Sequence, residues 1–183
     1  MIEVEESRIP GLLRLHPVVH FDDRGAFVKM YHEDWFADIG IPTVWPERFY
    51  SRSHCGVIRG LHFQNPPAEH EKLVYCAHGA VLDVVVDLRV GSPTYGEFEL
   101  FHLDDESWNM VFAPKGMAHG FASLSDETVM AYATSTVHDP TRDTGIRWDS
   151  VSIPWPFEKP IVSSRDAALP AFADYVSVFS YEP

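Results

Sequence analysis

Eight short stretches rich in β-branched and aromatic residues recur along the chain: Ala26–Tyr31, Val57–Phe63, Lys72–Ala77, Ala80–Leu88, Glu97–Leu103, Trp108–Phe112, Gly120–Leu124 and Thr128–Thr134. Turn formers separate most of them, at Asn65-Pro66-Pro67, His78-Gly79, Gly91-Ser92-Pro93 and Pro114-Lys115-Gly116. Short strands at this spacing predict an all-β chain, an antiparallel sandwich or barrel. Glu97–Leu103 fits a half-buried strand only loosely, with Phe98, Leu100 and the stem of His102 alternating with Glu97, Glu99 and Phe101. One helix is predicted over His32–Ile39, where Trp35, Phe36 and Ile39 share a face and Gly40 and Pro42 end it. From about Pro154 the chain is proline- and aromatic-rich, and we expect it to wrap the barrel, with a helical turn near Ser164–Ala168. No repeat and no linker interrupts the pattern, so residues 1–183 read as a single domain.

A chain of 183 residues can bury a sizeable core without disulfides or a structural metal. Its 27 acidic and 14 basic residues leave a net charge of −13. Such a surface repels phosphate backbones and anionic lipids, so no nucleic-acid or membrane partner is expected. An anionic ligand would need the few cations gathered in a pocket. The start, MIEVEESRIPGLL, lacks the apolar core of a targeting segment. The run Val81–Val86 is broken by Asp83 and too short to cross a bilayer. Cys55 and Cys76 have neither disulfide-framework nor zinc-site spacing. These features predict a soluble, cytoplasmic protein.

Two histidines stand in suggestive contexts. His62 lies in the strand-like RGLHFQ, where Gly60 allows close backbone approach; a lone strand histidine is more often structural than functional. Pro114–His119 reads PxGxxH, which resembles the second motif of the cupin barrels, whose histidine joins an HxH motif and a Glu around a metal. Here the position after His62 in that pattern is Gln64, and His70 or Glu71 compensates only in part. Two histidines without a convincing carboxylate make a poor divalent site, so no metal is expected. His62 is then free for acid–base work. Removing a proton from carbon needs a base, a cation or donor for the enolate, and a second group to return the proton. Lys72 and Tyr132 supply the latter two types, although each alone reads as a solvated strand-end lysine and a core tyrosine.

The order of motifs is more specific than any one of them. Asp22–Phe27 (DxRGxF), Val57–Gln64, Lys72–Cys76, Val81–Arg89, Gly91–Gly96, Pro114–Phe121, Gly145–Asp149 and Ser164–Asp166 together resemble the dTDP-4-dehydrorhamnose 3,5-epimerase family, from about Ile9 to Pro170. The resemblance implies an RmlC-like cupin, a jelly-roll homodimer that exchanges N-terminal strands and needs no cofactor. It implies a nucleotide-diphosphate-linked 4-keto-6-deoxy sugar as substrate. His62 takes the position of the base, Asp166 of the group that orients it, Tyr132 of the proton donor on the opposite face, and Lys72 of the lysine beside the 4-keto oxygen. Arg24, Arg59 and His119 take sugar- and diphosphate-binding positions, Arg24 and Phe27 coming from the partner subunit. His138 and Asp143 join the expected substrate contacts. Glu47 and Phe49 stand where the family pattern has Gln and Asn at the nucleotide end, which implies weaker dTDP binding or a preference for another nucleotide. Three other readings remain: a monofunctional 3- or 5-epimerase or ketoisomerase, a metal-dependent cupin, and a non-catalytic sugar-binding jelly roll.

Overall fold

A computed structural model describes residues 2–183. Two antiparallel sheets form the body. The six-stranded sheet runs, in spatial order, β1 (Glu3–Glu6), β2 (Leu13–His16), β10 (Met110–Ala113), β7 (Lys72–His78), β12 (Thr128–Thr134) and β5 (Glu47–Ser53). The five-stranded sheet runs β13 (Asp143–Gly145), β6 (Ile58–Gln64), β11 (Met117–Ser123), β8 (Ala80–Asp87) and β9 (Phe98–Asp104). A separate hairpin pairs β3 (Val18–Asp22) with β4 (Gly25–Lys29). The helices are short: α1 (Glu33–Asp38), α2 (Ser164–Ala167) and a 3₁₀ turn at Phe172–Asp174. None of the described helices is long and apolar enough to span a membrane.

The eight expected strands are all present, with shifted ends. The largest shift is at Gly120–Leu124, which instead starts at Met117 and so carries His119. Trp108 lies outside the strand, just after the turn at 105–107, with φ of 52°. Sequence reading assigned no strand to β1, β2, β3, β5 or β13. Three of these, β1, β5 and β13, lie at sheet edges, where polar residues face solvent and the apolar signal is weak. The helix expected at His32–Ile39 is one residue shorter at each end.

Three apolar layers explain why the alternation was loose. Between the sheets, Val74, Cys76, Val111 and Met130 meet Val81, Val85, Phe101, Leu103, Met117 and Phe121. The outer face of the five-stranded sheet, with Leu61, Phe63, Val84 and Val86, is covered by Ile153, Trp155, Phe172, Tyr175 and Phe179 of the C-terminal tail. The outer face of the six-stranded sheet is covered by Phe36, Ile41 and Trp45. Strands covered on both faces carry apolar residues on both. In β9 this sends Phe101 and Leu103 inward and Phe98 and Leu100 under the tail; His102 shares the face of Phe98 and Leu100, as the alternation predicts, but is exposed. The Gly91–Gly96 motif has a structural use: buried Asp87 accepts from Arg89 Nε, Ser92 Oγ and Thr94 Oγ1 at 2.9, 2.6 and 2.8 Å.

The tail is tied in at both ends of its course. Ile161 bridges Val57, and Ser180 bridges Val90. Ser163 caps α2 by accepting from Asp166 N at 3.1 Å, as small hydroxyl residues do at helix starts.

Strands β6 and β11 approach closely because both carry glycine at the crossing. A Cβ at Gly60, whose φ is +127°, would lie 2.6 Å from Gly120 Cα and 2.9 Å from the His119 carbonyl oxygen. Gly60→Ala is therefore expected to destabilise the protein by about 2–4 kcal/mol, from left-handed strain plus backbone overlap. Gly91→Ala, which meets nothing within 4 Å, incurs only the strain, about 1–2 kcal/mol. Urea unfolding of both variants checks this; equal losses would contradict the close-approach account.

Candidate active site

A cavity of about 570 Å³ opens between the two sheets. The five-stranded sheet contributes His62 and His119, which face each other as register partners on β6 and β11. The six-stranded sheet contributes Lys72 from β7, Tyr132 from β12, and Glu47, Phe49 and Ser51 from β5. Helix α2 supplies Arg165 and Asp166 to the rim. Residues more than a hundred positions apart thus converge on one space.

Asp166 is the anchor of the first dyad. It is 4% exposed. One carboxylate oxygen accepts from His62 Nε2 at 2.8 Å and the other from the Gly60 N–H at 3.1 Å. Burial would raise its pKa, but the hydrogen bonds from His62 and Gly60, the His62 charge and the Ser163 hydroxyl outweigh that and hold the carboxyl below its usual range. An ionised Asp166 accepts only, so Nε2 of His62 carries a hydrogen and Nδ1 is the ring nitrogen left for a ligand. The His62 side chain is part-exposed, within reach of a ligand and of solvent.

A second dyad lies deeper. His119 Nε2 donates to Asp83 Oδ2 at 2.7 Å, and both residues are buried. Asp83 shares the inner face of β8 with Val81 and Val85, so the residue that broke the apolar run is the one that reaches His119. Its role was missed in the sequence because its partner lies 36 positions away.

Lys72 Nζ donates to the His62 carbonyl oxygen at 2.8 Å. Burial pulls its pKa down to about 8, against the attraction of Asp143 and Asp83. Burial raises the Tyr132 phenol well above its ordinary value, so it is a protonated O–H at neutral pH. Its ring is stacked on Phe49, with centroids 4.7 Å apart and planes at 10°, and meets His119 edge-on at 5.9 Å.

The remaining expected residues divide in two. Glu47, Phe49, Arg59, His119, His138 and Asp143 all line the cavity. Arg59 donates to Ser53 Oγ and the Arg52 carbonyl, each at 3.0 Å. One carboxylate oxygen of Glu47 accepts from the His138 backbone N–H. Asp143 pairs with Arg165 at 2.7 Å. Arg24 and Phe27 do not line the cavity of their own chain. They sit at and beside the tip of the β3–β4 hairpin, where Arg24 pairs with Asp22 and Phe27 is 61% exposed. Sequence reasoning assigned no site role to Ser51, His70 and Arg165, which also line the space. Arg165 was the most accessible to it, since it directly precedes Asp166. Burial pushes the His70 imidazole down to about 3, so it is neutral.

Gln64, at the metal-ligand position of the cupin pattern, is committed elsewhere. Its side-chain amide donates to the Ala68 carbonyl at 2.7 Å and its carbonyl accepts from Asp139 N–H at 2.6 Å.

Comparison with known proteins matches this architecture. Residues 6–174 fit the family model described as dTDP-4-dehydrorhamnose 3,5-epimerase. A dTDP-4-dehydrorhamnose 3-epimerase of Streptomyces niveus is 43% identical over 161 residues, covering 86% of this chain and 78% of that protein. The crystal structure of a 4-keto-6-deoxy sugar epimerase from the novobiocin biosynthetic gene cluster of Streptomyces spheroides superposes with a TM-score of 0.90 at 39% identity, covering 94% of this chain and 88% of that one. The structure of RmlC from Legionella pneumophila in complex with dTDP-4-keto-L-rhamnose superposes with a TM-score of 0.95 at 31% identity over 100% of both chains. With an RmlC-like cupin fold, a two-sheet cavity holding His62, Asp166, Lys72 and Tyr132, and a family match over nearly its whole length, the chain belongs to the dTDP-4-dehydrorhamnose 3,5-epimerase family and is an isomerase-class enzyme, an epimerase.

Proposed function

We infer that the protein inverts C3, C5 or both in a nucleotide-diphosphate-linked 4-keto-6-deoxy sugar, by metal-free proton removal and return through an enolate. The observation that carries this reading is the division of labour between sheets: the His62–Asp166 dyad on one side of the cavity, and on the other Tyr132 with Lys72, which reaches across to the His62 carbonyl. The C4 ketone acidifies hydrogens on both neighbouring carbons and is its own electron sink. His62 Nδ1 takes the proton while Asp166 stabilises the resulting imidazolium. The Lys72 ammonium neutralises the enolate oxygen. Tyr132 delivers its phenolic hydrogen to the far face, completing inversion; His62 then releases its proton to solvent and Tyr132 regains one, which restores both groups. Arg59 and Arg165 supply cations for the diphosphate, so an acidic chain binds an anion through local charge. The dTDP-sugar in the Legionella neighbour supports this substrate class, and the 3-epimerase name of the Streptomyces niveus relative supports a single-centre variant as the second reading. The occupied amide of Gln64 and the aspartate partners of both histidines support chemistry without a metal. The free thiols of Cys55 and Cys76 support a reducing, cytoplasmic setting.

The partner-supplied part of the site is proposed on similar grounds. The β3–β4 hairpin pairs with neither sheet and exposes Phe21 and Phe27. A two-stranded hairpin that exposes an aromatic ring on each of its two faces is marginal alone. Crossing to a second copy would cover it and bring Arg24 and Phe27 to that copy's cavity.

Three outcomes are expected. In D2O with a 4-keto-6-deoxy sugar nucleotide, the wild type incorporates deuterium at each centre it inverts. His62→Asn abolishes exchange and slows turnover by about 10²–10⁴, whereas Tyr132→Phe still exchanges but no longer inverts. Chelation leaves all these rates unchanged; activity lost to a chelator and restored by metal would replace this reading with a metal cupin.

The pH dependence follows from Lys72. Its lowered pKa means that the charged form is complete below about 8 and is lost as pH rises through that value. The kcat should therefore fall on the alkaline side of about pH 8, and Lys72→Gln should be slow throughout and lack that limb. A profile that keeps the same limb in Lys72→Gln assigns the titration to another group.

Light scattering at micromolar concentration should read twice the 20.8 kDa chain mass. Mixing inactive Arg24→Ala with inactive His62→Asn should restore part of the activity, because one mixed site receives both intact residues. A monomer, or no restoration on mixing, would contradict the shared site.

A further inference from the structure

Strand β5 is an edge strand whose inward residues meet the proposed acid. Phe49 is the register partner of Tyr132, and Ser51 is the partner of Met130. In an antiparallel pair, residues opposite and diagonal to a side chain on one face are its nearest cross-strand neighbours. Phe49 therefore packs face to face on the Tyr132 ring, and Ser51 stands diagonal to it on the same cavity wall. The Ser51 hydroxyl is buried and, apart from the Tyr132 phenol that it faces, has no hydrogen-bond partner among the described residues. A buried hydroxyl left unpaired is costly, so its presence here requires a use.

Phenylalanine also lacks the donors and acceptors needed to read a nucleotide base by hydrogen bonding. Its planar contact is instead made with the tyrosine. With His119 edge-on against the same ring, two of the ring's directions of movement are closed. A phenol free to swing would leave the far face of the enolate without an acid.

We propose that Phe49 and Ser51 are positioning residues that hold the Tyr132 phenol where it protonates the substrate on the face opposite His62, Phe49 by stacking and Ser51 by hydrogen-bonding the phenolic oxygen. The proposal rests on the reading of Tyr132 as the acid. It replaces the nucleotide contact that the sequence suggested for Phe49. The half-exposed Phe49 ring lies outside the buried core, so its replacement leaves the sandwich intact.

The test compares deuterium exchange with inversion in one assay. When the acid is displaced, the His62 imidazolium trades its proton with solvent and returns deuterium to the original face, giving exchange with retention. Phe49→Leu should reduce inversion at least tenfold while exchange changes by less than about threefold, with the KM unchanged. Phe49→Tyr, which keeps the stack, should restore both rates to within about twofold of wild type. Ser51→Ala should shift the ratio in the same direction by a smaller factor. The proposal is overturned if Phe49→Leu keeps the wild-type ratio of inversion to exchange, if it raises KM alone, or if both rates fall together and Phe49→Tyr does not rescue them. Tyr132→Phe is run alongside. Should it fail to uncouple inversion from exchange, Tyr132 is not the acid, and the proposal falls with that reading rather than on the behaviour of Phe49.

Discussion

The buried carboxylate of Asp166 fastens the C-terminal tail to β6 through side-chain hydrogen bonds, beside the backbone bridge of Ile161 to Val57. It reaches from a one-turn helix in the C-terminal tail to the backbone of Gly60 and the ring of His62. A carboxylate this buried is tolerated because its oxygens are hydrogen-bonded. The same bonds fix which imidazole nitrogen is free. Tail docking, the β6 backbone and the orientation of the His62 ring are therefore one arrangement, and loosening any of them disturbs the others.

That arrangement depends on cladding. The tail covers the outer face of the five-stranded sheet and the α1 region covers the outer face of the other. Both sheets can then be apolar on both sides, with the inner side left to hold polar groups at one end. Asp83, His119, Lys72 and Tyr132 occupy that inner space beside the aliphatic core. Low dielectric surroundings make each pairing matter more. Burial keeps His70 neutral, brings Lys72 near the point of titration and keeps Tyr132 protonated. One cavity thus holds imidazoles, a phenol and an ammonium whose different states come from different surroundings.

Paired glycines provide the geometric condition. Gly60 and Gly120 let β6 and β11 approach until backbone meets backbone, and this close crossing sets His62 opposite His119. In the sequence the two glycines stand in separate motifs, RGLHFQ and AHGF. Their common purpose shows only once the strands pair.

The strands with strong β-branched and aromatic content were legible in the sequence, since burial between layers demands those side chains wherever the strand lies. The residue types of the site were legible too: His62, Lys72, Tyr132 and Asp166 follow from motif order and from what carbon-acid chemistry requires. Edge strands such as β5, reading ERFYSRS, were not, because half their side chains meet water and carry no apolar period. Hence nothing local showed that Phe49 stacks on Tyr132, a contact that cross-strand register makes. Asp83 read as a defect in an apolar run, while the pleat of β8 turns it inward to His119. Local sequence determined which segments become strands and which side chains bear chemistry. Sheet pairing decided which of those side chains touch, because such contacts depend on register between segments far apart in the chain, and no local pattern encodes that register.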